Sequence, residues 1–164
     1  MRKDVLLLVV LGVGMIVLAN WEPEKMPTHF SSSVDPMDYE PTDTFVRNVF
    51  LDGNWLGSAG GGGSTVAGAL ALPYKWYPGL TATVKWERCD RFDKNNPVPD
   101  SEACHWLEKK VLVHPYTRSG GTMLQIIEGE DVLIIPTMFG TRHEDYPGPP
   151  PPHKDFFERK GITR

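Results

Sequence analysis

LTATVKWERC, residues 80–89, decides the fold class. Ala82, Val84 and Trp86 fall on one side of an extended chain, and Thr81, Thr83, Lys85 and Glu87 on the other. Successive strand side chains point to opposite faces, so this alternation predicts a strand with one face in a core and one in water. Working back, Pro73 and Pro78-Gly79 bracket a turn that holds Tyr74, Trp76 and Tyr77. VAGALAL, residues 66–72, is a run of small apolar residues that reads as a strand buried on both faces. Phe45, Val46, Val49, Phe50 and Leu51 form a β-branched and aromatic run from Thr44, and Asp52-Gly53 then supplies a hairpin turn before Asn54, Trp55 and Leu56. Working forward, residues 106–113 read as a strand ended by Pro115 and Gly120-Gly121. Residues 123–127 and 132–136 flank Glu128-Gly129-Glu130-Asp131, an acidic hairpin turn whose charges keep it soluble. With 16 Gly and 15 Pro in 164 residues, long helices are disfavoured. The expected fold is all-β or β-rich: a small antiparallel sandwich or barrel of six or seven strands.

The ends of the chain set its compartment. MRKDVLLLVVLGVGMIVLAN, residues 1–20, has a basic start, an apolar run, and Val17 and Ala19 spaced as a signal peptidase requires. The run is short for about 30 Å of hydrocarbon, which takes roughly 20 residues. A secretory signal is expected over residues 1–19, or an inner-membrane anchor where it is not cleaved. Residues 20–43, rich in Pro, Ser and acidic side chains, read as a linker or arm, 44–145 as the β domain, and 146–164 as a Pro-rich tail. The tail opens with a polyproline run at 147–152 and carries Phe156 and Phe157 among charges. Either the rod lies across the domain with both rings in a groove, or it is a peptide for a partner to grip; docking is the favoured reading.

Cys89 and Cys104 are the two cysteines. In an oxidising compartment they are expected to form a disulfide, closing a polar loop of about 15 residues worth roughly 3 kcal/mol by loss of chain entropy. A metal site on Cys104 and His105 is disfavoured, because structural zinc takes four ligands and no C-x-x-C spacing occurs. The formal net charge is −4. Losing Arg2, Lys3 and Asp4 with the leader makes the remainder one unit more negative. That argues against nucleic acid, which requires a basic face. GGGGST, residues 60–65, lacks the Lys of a phosphate-binding loop, and the five histidines form no H-x-x-x-H pair. His143-Glu144-Asp145 reads as a solvated turn. Ser64 could join a nucleophilic triad only through geometry that spacing does not show. No catalytic residues, cofactor or metal are expected. Trp76 and Tyr77, on a Pro-bounded turn, are candidate protein contacts together with Phe156 and Phe157, because rigid exposed aromatics bind efficiently. Closing the end of the sandwich is an equally good use for the turn pair.

The run GGGGSTVAGALALPYKWYPGLTATVKW, residues 60–86, with FLDGNWLG at 50–57 upstream and YPGPPPP at 146–152, resembles a bacterial family known as domain of unknown function 3304. Its L-P-x-x-W-x-P-G-L block corresponds to Leu72, Pro73, Trp76, Pro78, Gly79 and Leu80, and its V-x-W to Val84 and Trp86. Many relatives carry a Cys pair just before L-P, where Ala69 and Ala71 stand here, and a lipid-attachment Cys where this chain has Asn20. The resemblance implies a Gram-negative envelope location. Some similar proteins accompany type VI secretion clusters near lipase effectors. It carries over no catalytic residues. The expected function is therefore a periplasmic protein-binding module, an immunity protein neutralising a type VI lipase effector. The alternative is an accessory component of an envelope assembly.

Overall fold

Asp52 and Gly53 both adopt positive φ, 48° and 80°, in the computed structural model. This is the paired left-handed geometry of a two-residue hairpin turn, and the Asp-Gly dipeptide is there because it tolerates it. Residues 28–41, 44–60, 68–90 and 104–152 are described. Eight strands follow in order: β1 (His29–Asp38), β2 (Thr44–Leu51), β3 (Asn54–Ala59), β4 (Gly68–Pro73), β5 (Thr81–Asp90), β6 (Cys104–Leu112), β7 (Gly121–Ile127) and β8 (Asp131–Thr137). They form two four-stranded sheets, β4-β1-β7-β8 and β3-β2-β5-β6. The first is mixed, since β1 runs parallel to β7, while the second is antiparallel throughout. The architecture is a sandwich, not a closed barrel.

The inner faces meet as the alternation in β5 requires. Ala82, Val84 and Trp86 pack with Val46, Leu51 and Leu56 from one sheet and with Val34, Leu72, Leu124, Ile126 and Ile134 from the other. Fully burying such a side chain stabilises the fold by about 1.5–3 kcal/mol. The sheets are pinned at both lateral seams by single parallel bridges, Met37 to Gly60 and Val113 to Ile134.

Three expectations are corrected. The described residues form eight strands rather than six or seven, because residues 29–38 belong to the domain and not to an arm. β1 lies between β4 and β7, with Ser32 Oγ hydrogen bonded to Thr122 Oγ1 at 2.8 Å. Its first half pairs with β4 up to Val34, and its second half with β7 from Val34 onward. Pro36 fits because Tyr39 N–H points to Ile126 on β7 and Asp38 N–H points the other way, to Gly60. Alternation aims the missing N–H of Pro36 away from β7, past the last described pair of β1 with β4, so the β1–β7 ladder loses no donor. Secondly, β4 is an edge strand with alternating burial, not one covered on both faces.

The third correction concerns the acidic turn. A short 3-10 segment does join β7 to β8 at Glu128–Glu130. Glu130, however, is structural. Its carboxylate accepts from Arg88 Nε at 2.7 Å, Arg88 Nη2 at 2.9 Å and Trp86 Nε1 at 3.2 Å. Arg88 is 2% exposed on the inward face of β5, and its Nη1 also donates to both Asp38 carboxylate oxygens and to Thr44 Oγ1. Glu130 N–H donates to buried Glu40. Burial pulls the guanidinium's proton affinity down, and the Glu130 and Asp38 carboxylates more than offset this, so Arg88 is held charged. This ionic cluster ties β1, β5 and the β7–β8 turn together at one end of the sandwich.

On the outer face of β5, Glu87 meets a bulge in β2. Arg47 pairs with Glu87 and Phe50 with Lys85, so β2 carries one extra residue, and Asn48 takes φ 53° there. Arg47 Nε and Asn48 Nδ2 each donate to Glu87 Oε2 at 2.8 Å, holding its carboxyl below the ordinary 4.5. A carboxyl lowered on folding contributes stability above its unfolded value and loses that contribution as pH falls through the folded value. Glu87→Gln is expected to flatten the loss of stability below about pH 4.5; urea titrations of the parent and the variant across that range check it.

Candidate functional site

Opposite the ionic cluster, the turn from Pro73 to Leu80 gathers aromatic side chains at the other end of the sandwich. Gly79 has φ 88° and Leu80 N–H donates to Tyr77 O, so Tyr77-Pro78-Gly79-Leu80 is a type II turn. Side-chain hydrogen bonds help tie the segment to the rest of the fold. Trp76 Nε1 donates to Val113 O at 3.0 Å, and Tyr116 Oη–H donates to Pro73 O at 2.6 Å. Phe30, at the start of β1, lies 5.6 Å from the Tyr74 ring and 6.2 Å edge-on to Tyr116. Burial and the nearby Tyr77 raise the Tyr116 phenol above its ordinary value, so it remains a hydroxyl donor at neutral pH.

The two turn candidates separate. Trp76 is half-buried and braces the turn, whereas Tyr77 is 52% exposed. Tyr74, which the sequence reading did not single out, is 59% exposed beside it. The signal was present in the same Pro-bounded turn. Phe156 and Phe157 lie outside the described residues, as do the leader, Ser64, most of the glycine run and most of the cysteine loop. The root of the tail is described: Tyr146 is buried, and Gln125 Nε2 donates to Pro149 O at 3.2 Å, which places this part of the tail on the outer face of β7.

A second aromatic group lies on the outer face of β2, β5 and β6. Phe50 and Trp106 are 6.1 Å apart, and the Lys85 ammonium stands 4.9 Å over the Trp106 ring. Trp55, paired with Phe50, is 56% exposed. Cys89 and Cys104 face each other across β5 and β6 with Cα atoms 4.1 Å apart and form the expected disulfide. Glu87 lies near the two sulfurs, but its carboxylate is taken by Arg47 and Asn48. His105 faces the opposite side of the strand from Cys104. Among the described residues, no helix is long and apolar enough to cross a membrane.

The Pro73–Leu80 turn, the disulfide and seven of the eight strands lie wholly or partly in the span 39–134, which matches the family described as "Protein of unknown function (DUF3304)". The chain belongs to the DUF3304 family. The DUF3304 match begins at Tyr39, just after β1 ends, and stops at Ile134 within β8. It therefore contains the whole aromatic end, apart from Phe30, and both cysteines. No curated protein and no solved structure matches the chain.

Proposed function

We propose that this DUF3304 domain is a protein-binding module that works on the far side of the inner membrane, with the aromatic end as its contact surface. The narrower form of this reading is an immunity protein that covers the active site of a type VI lipase effector. The observation that carries the binding role is the presentation of Tyr74 and Tyr77. Both rings stand out in solvent on a turn anchored by Trp76 and Tyr116, so little loop ordering is left for a partner to impose. Aromatic anchors of this kind dominate interfaces, and a standard one buries about 1,600 Å² in total. The disulfide supports an oxidising compartment. The mild negative charge supports a protein partner over nucleic acid.

Co-expression in the periplasm with a lipase effector encoded beside it tests the narrow reading. The full chain should protect. Tyr74→Ala/Tyr77→Ala should weaken the complex by about 10–100-fold with the fold intact. Undiminished killing with the folded domain present rejects the immunity role. The alternative, an accessory part of an envelope assembly, draws on the fixed root of the tail at Pro149. Deleting residues 153–164 separates the two readings: loss of assembly with protection intact favours the accessory role.

A further inference from the structure

β6 and β8 are the edge strands of their respective sheets and run side by side along one seam of the sandwich. The seam is closed at the aromatic end by the Val113–Ile134 bridge, where His114 N–H donates to Ile134 O at 2.9 Å. It is closed at the ionic end by Lys109, whose ammonium donates to Glu130 O and to Asp131 Oδ1 at 3.1 Å. Between these clasps lies a cavity of about 660 Å³, with Trp76, Val111, Val113 and Val132 in its lining. From Lys109 to Val113 the strand covers about 13 Å at ~3.3 Å per residue.

The backbone on both walls is turned toward this slot. Val113 N–H donates to Leu80 O, so the odd residues of β6 hydrogen bond to β5. Alternation then directs the N–H and C=O of Lys110 and the N–H of Leu112 outward into the seam. On β8, Ile134 O already faces β6, so the same alternation turns the peptide groups of Val132 to the slot. Leu112 is 63% exposed at the rim, and Lys110 places a cation beside it. Apolar walls with strand-edge donors and acceptors on both sides suit an extended chain better than a helix or a small molecule.

We infer that the β6–β8 slot takes an extended peptide segment of a protein partner as an added strand, apolar at alternate positions and carrying a carboxylate beside Lys110. The Lys110 charge selects the acidic residue, and Trp76 makes the slot continuous with the proposed aromatic contact surface. The inference deepens the protein-binding reading and rests on it, but its test does not use the effector.

The probe is a phage-displayed library of nine-residue peptides panned on the full chain. Enriched peptides should show apolar alternation with an acidic position, and binding them should slow amide exchange at Lys110 and Val132 at least tenfold. Lys110→Pro and Leu112→Pro each delete an N–H that faces the slot and leave the β5–β6 ladder intact. Either should weaken the peptides at least tenfold, while Lys110→Ala, which keeps the N–H, should weaken them by a few-fold. Peptides indifferent to both proline variants, peptides that leave those two amides exchanging at the free rate, or no enrichment at all would overturn the inference. Should a proline variant fail to fold, the exchange measurement on the unaltered chain decides. Effector protection without peptide capture sinks the slot and spares the function; peptide capture without protection does the reverse.

Discussion

Arg88→Met is expected to cost about 3–5 kcal/mol, enough to leave a domain of ordinary stability largely unfolded on mild heating. The guanidinium is 2% exposed and is shared between Asp38 on β1 and Glu130 in the turn before β8. Taking it away strips the cation from the Asp38 carboxylate, itself only 3% exposed, and from the Glu130 carboxylate in one step. The loss is so large because the partners are left in a medium that solvates charge poorly, not because the ion pairs themselves are strong. It follows that Asp38→Leu/Arg88→Met/Glu130→Leu should regain much of the stability lost by the single change. Arg88→Lys should fall between, since one ammonium lacks the planar fork that reaches both carboxylates. Urea unfolding followed by far-UV circular dichroism ranks the four proteins. A single Arg88→Met variant as stable as the parent would show that the cluster does not hold the end together.

Trp86→Ala is expected to cost a similar amount, about 3–5 kcal/mol, for a different reason. The indole is wholly buried at the centre of the sandwich, where neighbours from both sheets converge. Truncating it opens a cavity that eight short strands cannot close without giving up register. Trp86→Phe keeps most of the packing but loses the N–H donated to Glu130, and should cost about 1.5–3 kcal/mol. Trp86 and Arg88 share that carboxylate, so the two losses should not add. A double-mutant cycle should return a coupling of about 0.5–3 kcal/mol, and strict additivity would mean that Glu130 bridges nothing.

What the chain discloses in one dimension divides along physical lines. The β5 alternation and the Asp-Gly turn were legible because each depends on residues next to one another. The disulfide was legible because two cysteines leave only one pairing. β1 was not, since a strand that reads FSSSVDPMD looks like a polar arm. Its buried Ser32 and Asp38 are satisfied by Thr122 and Arg88, partners far along the chain that no local pattern reveals. Arg88 was missed because an arginine on the inward side of a strand reads as the strand's end. The Pro73–Leu80 turn was found, but which ring braces and which is presented depends on Val113 O, which only the folded seam supplies.

The parallel placement of β1 has a consequence for biogenesis. Its second half has no ladder until β7 exists, because Val34 lies beside Thr122 and Asp38 beside Ile126. The ribosome therefore releases the first strand long before its neighbour, and the sheet cannot zip up as the nascent chain emerges. Such remote pairing raises the loop-closure cost of the first contacts and slows folding. A sheet whose neighbours lie this far apart along the chain is therefore expected to spend longer as open coil than one built from successive hairpins.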